Sequence, residues 1–234
     1  MSLPEKFKCV VTNWKYLEGL CIKVYDEVYK SGFKPDTIVA LARGGWFPGR
    51  LLCDLHGISD LMSLKIEHYL GTALTSDRPL IRYPILKAGI AGKKVLIVDD
   101  IADTGKSLIY AEEHIKEAEP DEVKSCTIQV LATSEKMPDH YGEFIELWAW
   151  IIYPWNFVED MTNLIGRMFK DNPDDSWALS DIKLELYKRY EIDPIYLEIA
   201  QPNRLPEVMK SMERNGIIKI ADENSWIYEG AVNE

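Results

Sequence analysis

At 234 residues the chain has room for one large domain, or a medium domain with a small appendage, and its 47 % hydrophobic content is enough to fill a core. Its formal net charge of −11 argues against a nucleic-acid or anionic-membrane partner, because counterion-releasing contacts need a basic face. Cys9, Cys21, Cys53 and Cys126 show neither CxxC pairing nor metal-ligand spacing, so they are expected as reduced, mostly buried thiols of a soluble cytoplasmic protein.

The opening stretch, MSLPEKFKCVV, lacks the apolar run of a signal peptide. Tyr16, Leu17, Leu20, Cys21, Val24 and Val28 then recur at helical spacing until Gly32 and Pro35 end the helix. TIVALA (37–42) is a short β-branched run that stops at Arg43-Gly44-Gly45. A second helix follows, with Pro48 near its first turn, Leu51, Leu52 and Leu55 on one face and Gly57 behind it. Residues 60–66 read as a strand, and Leu70 to Pro79 as a polar, irregular loop. KVLIV (94–98) is a fully apolar strand, and 104–118 a helix closed by Pro120. Apolar runs at 124–131 and 144–152 complete the pattern, and the longest uncharged apolar stretch, Leu147 to Trp155, is about half of a membrane span. Strands alternating with helices imply an α/β fold with a mainly parallel sheet, whose sites lie beyond the carboxyl ends of the strands.

Composition shifts after Trp155. DNPDDS (171–176) is acidic and turn-rich, which places a linker at 163–177 between a first domain, 1–162, and a second, 178–234. In the second, Ser180 is expected to cap a helix, while Leu205, Val208, Met209 and Met212 form the apolar stripe of another that Gly216 ends. IIKIADENSWIYEG then reads as a hairpin, and helices followed by a two-stranded wing suggest a winged-helix-like module.

VLIVDDIADTGKSL (95–108) sets three carboxylates beside a turn that suits a phosphate. A Walker A loop needs glycine at the position held by Asp100, so the P-loop reading fails there. A helix capped by Asp103 or Thr104 accounts for one acid and leaves Asp99 and Asp100 at a strand end without a reason. A ligand carrying a phosphate and vicinal hydroxyls accounts for all of them. Backbone N–H groups of Thr104 to Ser107 at a helix N-terminus suit a phosphate dianion, with Lys106 and two hydroxyls as further donors. Carboxylates only accept hydrogen bonds, so Asp99 and Asp100 suit a sugar diol, or a metal that the diol also binds. The ligand implied is a ribose 5-phosphate.

The same residues resemble the phosphoribosyl-pyrophosphate motif of the type I phosphoribosyltransferases. VVTNW (10–14), ALARGGWFPGRLL (40–52) and WIIYPW (150–155) resemble stretches of the 6-oxopurine branch (xanthine-guanine and hypoxanthine-guanine enzymes) in order and spacing, over roughly residues 8 to 160. The resemblance implies the type I fold, a twisted sheet flanked by helices with a small hood, here with the winged-helix-like tail appended. It implies Mg²⁺-dependent transfer of a phosphoribosyl group from phosphoribosyl pyrophosphate to a purine, with release of pyrophosphate. It assigns ribose and phosphate binding to Asp99, Asp100, Ala102, Asp103, Thr104, Gly105, Lys106 and Ser107, with Asp100 as the candidate metal ligand and Asp103 as general base. Arg43, Gly44 and Gly45 match the pyrophosphate loop, where two glycines permit close backbone approach and Arg43 offers a bidentate fork. The family often holds the peptide entering that loop in cis, here Ala42–Arg43. Trp150 aligns with the aromatic that stacks on the purine and Ile151 with the residue whose main chain recognises it, and the segment after Tyr69 matches the family's flexible loop.

Two positions depart from the pattern. The lysine that reads the purine 6-oxo group falls at Leu131, which donates nothing; Lys136 is the nearest substitute. Asn156 stands where the family has aspartate after Pro-Trp. The helix expected at 204–215 sets Arg204, Lys210 and Arg214 against Glu207 and Glu213, which is no basic stripe. The tail is therefore expected to mediate association as a dimer or tetramer; the alternative is a regulator that senses phosphoribosyl pyrophosphate or a purine nucleotide, with the tail as a DNA-binding winged helix.

Overall fold

The computed structural model describes residues 4–67, 80–222 and 224–230. The chain divides into two compact units, Lys15–Trp148 and a discontinuous one made of Met1–Trp14 with Ala149–Glu234. Each is described by itself.

The larger unit takes in most of α1 (Trp14–Lys30), then β2 (Thr37–Ala42), α2 (Trp46–His56), β3 (Leu61–Glu67), β4 (Leu80–Arg82), α3 (Lys87–Ile90), β5 (Lys94–Ala102), α4 (Lys106–Lys116), β6 (Glu122–Leu131) and β7 (His140–Ile145); β1 (Cys9–Val11) precedes it. Among the described residues its sheet runs β4-β3-β2-β5-β6-β7. Every neighbouring pair is parallel except β3–β4, so one antiparallel strand ends an otherwise parallel sheet. Val95 to Val98 are buried on both faces, which is why β5 reads as a continuous apolar run rather than an alternating one. Leu108, Ala111 and Ile115 of α4 pack on Val95, Ile97 and Val130.

The apolar run at 144–152 is not one strand. His140 starts β7 four residues earlier, and the chain then passes through an exposed stretch in which Leu147 is 78 % exposed. Its far end forms β8 (Trp150–Ile152), which pairs in parallel with β1 in the other unit.

That smaller unit continues with α5 (Phe157–Asp171), β9 (Trp177–Ala178), α6 (Leu179–Tyr190), α7 (Pro194–Ala200), α8 (Leu205–Arg214), β10 (Ile218–Asp222) and β11 (Ser225–Tyr228). The expected hairpin is β10–β11, with β9 added on the far side of β11. α7 went unanticipated, although Asp193-Pro194 is a start signal: the Asp193 carboxylate accepts from the N–H groups of Ile195 (2.8 Å) and Tyr196 (2.9 Å). Asp181, not Ser180, serves the start of α6, accepting from the Ala178 N–H at 3.1 Å.

The linker expected at 163–177 is helix as far as Asp171. Phe157, Met161, Leu164, Ile165, Met168 and Phe169 recur at three- and four-residue spacing and are all buried, so α5 runs straight through the proposed boundary. These side chains share one core with Phe7, Cys9, Val11, Ile182, Tyr190 and Ile218. Residues 178–234 therefore form no separate domain. Leu205, Val208, Met209 and Met212, with Trp226 and Tyr228, pack into that same core, so the apolar stripe of the tail is covered within the chain.

Candidate functional site

β5 continues four residues past the expected strand, and its end carries the acids. Asp100 is buried and Asp99 half-buried. Each carboxylate folds onto the following backbone: the Asp100 N–H donates to Asp99 Oδ1 at 3.0 Å and the Ile101 N–H to Asp100 Oδ1 at 2.9 Å. Burial, then the neighbouring Asp100 charge, pushes the Asp99 carboxyl well above the ordinary aspartate value.

Asp103, Thr104 and Gly105 make the turn into α4. Gly105 adopts the left-handed conformation at φ 75°, and a Cβ there would come within 2.6 Å of Ser134 Oγ and 2.8 Å of the Lys136 nitrogen. The helix begins at Lys106, two residues later than expected, which leaves Thr104, Lys106 and Asp103 exposed to a ligand. At 11 residues α4 is long enough for its N-terminal N–H groups to present a positive end to a phosphate.

The second loop comes from the adjacent strand. Ala40 of β2 pairs with Val98 of β5, so the residues after Ala42 arrive at the level of Asp100. The Ala42–Arg43 peptide is cis, as the resemblance implied. Gly45 N–H then donates to Leu41 O at 2.9 Å and Trp46 N–H to Arg43 O at 3.2 Å, turning the chain into α2. A Cβ on Gly44 would overlap the Asp100 carboxylate, and one on Gly45 would sit 2.7 Å from the Leu41 carbonyl oxygen. Only glycine lets the loop lie this close to the acid.

Residues Arg43–Gly45 and Asp99–Ser107 thus come together at the carboxyl ends of β2 and β5. Trp150 and Ile151 lie in the smaller unit, on β8. The Trp150 indole N–H donates to Asp160 Oδ1 at 3.2 Å, and the buried Ile151 pairs with Val10. Tyr69 lies outside the described residues. Leu131 is buried at the end of β6, and Lys136 Nζ pairs with Glu112 at 3.1 Å. Asn156 precedes α5, its carbonyl accepting from Asp160 N–H at 2.9 Å.

The segment after β6, which none of the sequence motifs includes, also reaches the site. Thr133 Oγ1 lies 3.0 Å from both the carbonyl oxygen and Oδ1 of Asp103, and Glu135 N–H donates to Thr104 O at 3.0 Å. ATSEKMP after an apolar strand was a visible turn signal at a carboxyl strand end, where α/β sites gather.

No group of three or more metal-ligating His, Cys, Asp or Glu side chains occurs among the described residues. The paired carboxylates of Asp99 and Asp100 nonetheless fit Mg²⁺, which takes one or two protein carboxylates and completes its shell with water and substrate oxygens.

The phosphoribosyl transferase domain model matches residues 11–158. Among curated proteins the chain is 30 % identical over 129 residues to a hypoxanthine-guanine phosphoribosyltransferase of Saccharomyces cerevisiae, spanning 48 % of this chain and 58 % of that relative. It is 26 % identical over 189 residues to xanthine phosphoribosyltransferase 1 of the same yeast, spanning 64 % and 90 %. Among solved structures, a purine phosphoribosyltransferase from Pyrococcus horikoshii superposes with a TM-score of 0.56 at 29 % identity, over 63 % of this chain and 93 % of that one. The domain match takes in both glycine loops, both acids and Trp150, and the chain belongs to the type I phosphoribosyltransferase family.

Proposed function

We propose that the protein transfers the phosphoribosyl group of phosphoribosyl pyrophosphate to a purine, with the 6-oxopurines hypoxanthine, guanine and xanthine as its base class and Mg²⁺ as its cofactor. The observation that carries the reading is the closeness of Gly44 to the Asp100 carboxylate, because it brings a pyrophosphate-type loop and a ribose-phosphate-type loop to one place. In this reading the N–H groups of Thr104 to Ser107 hold the 5-phosphate, Asp99 and Asp100 accept from the ribose hydroxyls, and Arg43 with the Gly44–Gly45 backbone holds the pyrophosphate.

The bond from the anomeric carbon to pyrophosphate breaks and a bond to a purine ring nitrogen forms. Positive charge develops on the sugar between the two events, and the fixed carboxylates stabilise it. The proton displaced from the purine nitrogen passes to the Asp103 carboxylate. When bound, Mg²⁺ supplies charge neutralisation of the diphosphate leaving group, with Asp100 as its protein ligand. Stacking of Trp150 on the base, and recognition by the Ile151 main chain, are carried over from the family resemblance.

Incubation with phosphoribosyl pyrophosphate, Mg²⁺ and each purine in turn, followed by ultraviolet spectra, tests the reading. Formation of a nucleoside monophosphate from a 6-oxopurine supports it; turnover of adenine alone, which a chain with Leu131 in place of the lysine would permit, overturns the base class. No turnover with any base overturns the enzyme. The regulatory alternative draws no support from α8, where Arg204 Nε pairs with Glu207 at 2.9 Å and Glu213 stands between Lys210 and Arg214, so the helix carries no basic stripe.

A further inference from the structure

The segment between β6 and β7 closes against the Asp103–Gly105 turn at three points. Thr133 reaches Asp103, Glu135 N–H reaches Thr104 O, and Ser134 and Lys136 fill the space where a side chain on Gly105 would stand. The segment is itself anchored: Ser134 Oγ donates to Lys136 O at 2.7 Å, Ser134 N–H to Leu131 O at 3.0 Å, and Lys136 Nζ pairs with Glu112 of α4. It is a braced support for the turn.

Within that support Thr133 makes a contact of a different kind. Its hydroxyl carries one proton and stands 3.0 Å from two acceptors that belong to a single residue, the Asp103 carbonyl oxygen and Oδ1. Contact with Oδ1 restricts the Asp103 side chain, whereas an exposed aspartate otherwise moves among several rotamers. We propose that Thr133 is a positioning residue for the reaction. It pins the Asp103 carboxylate through Oδ1 and leaves Oδ2 to face the purine proton.

This rests on the general-base reading of Asp103. The backbone bond from Glu135 to Thr104 holds the turn without the hydroxyl, so removing the hydroxyl is expected to disturb the carboxylate and spare the phosphate donors. The experiment uses the full chain with Thr133→Val, which keeps the shape and deletes the donor, and Thr133→Ser, which restores it. Thr133→Val is expected to lower kcat about tenfold, with KM for the base and Kd for phosphoribosyl pyrophosphate within about twofold of wild type, and Thr133→Ser to recover most of the rate.

Unchanged kcat in Thr133→Val overturns the proposal, as does an equal loss in Thr133→Ser. So does a parallel loss of phosphoribosyl pyrophosphate affinity, which would mark collapse of the loop. If the wild-type protein turns over no base, the enzyme reading fails on its own account. The ¹³Cγ resonance of Asp103 then decides the contact: displacement in Thr133→Val with return in Thr133→Ser upholds it, and an unmoved resonance overturns it.

Discussion

An amide at position 103 keeps the shape of the aspartate and its acceptor oxygen toward Thr133, and loses only the basic lone pair. Asp103→Asn is therefore expected to lower turnover by about 10²–10⁴ while phosphoribosyl pyrophosphate binding stays nearly intact. Steady-state rates beside equilibrium binding check this, and wild-type-like turnover would remove Asp103 from the role. Asp99 makes a prediction of another sort. Burial and the Asp100 charge raise its carboxyl well above the ordinary 3.8, so between 3.8 and the raised value the native state holds a proton that the unfolded chain has released. Stability conferred by that proton is full below the window and is lost as pH rises through it. Asp99→Asn carries no such proton and no such loss. In metal-free buffer its melting temperature should gain on wild type as pH rises from acid toward neutrality, and parallel curves would contradict the assignment.

At the scale of elements, α5 carries the clearest test. Phe169 is fully buried near its end, inside the stretch whose composition suggested a linker. Phe169→Ala is expected to cost about 3–5 kcal/mol in denaturant unfolding, and a cost under about 1 kcal/mol would restore the linker. The spacing that buries this helix was present in FVEDMTNLIGRMF; the acidic turn at 171–176 and the fading resemblance outweighed it. β2 and β5 were legible because strands buried on both faces write themselves as unbroken apolar runs. Both loops were legible because glycine, acid and hydroxyl residues cluster within a few positions of those strand ends. The approach of Gly44 to Asp100 and of Thr133 to Asp103 was not legible. Each joins residues 30 or more positions apart through strand packing, which leaves no local periodic trace.

For the whole molecule, the unit boundaries change what truncation means. Removing 165–234 would strip the cover from Phe157 and Met161 and from the N-terminal Phe7 and Val11, so aggregation is expected instead of a clean change in oligomer size. For the same reason, limited proteolysis should release no stable fragment corresponding to 178–234. A protease-resistant piece of that size, identified by mass spectrometry, would show that the tail folds alone.

The pairing of β1 with β8 also sets an order of events on the ribosome. Thr12 donates its hydroxyl proton to the carbonyl of Ile152, 140 residues further on, whereas Lys15–Trp148 is one unbroken run. At ordinary rates of synthesis the first strand waits roughly 10–30 s for its partner, while the larger unit can complete itself in the interval. Cys21, Cys53 and Cys126 are buried in that larger unit, and Cys9 is buried in the other. A nascent chain stalled before Trp150–Ile152 emerges should therefore offer one thiol of the four to an alkylating reagent, Cys9, and should lose that reactivity once β8 and the helices after it emerge.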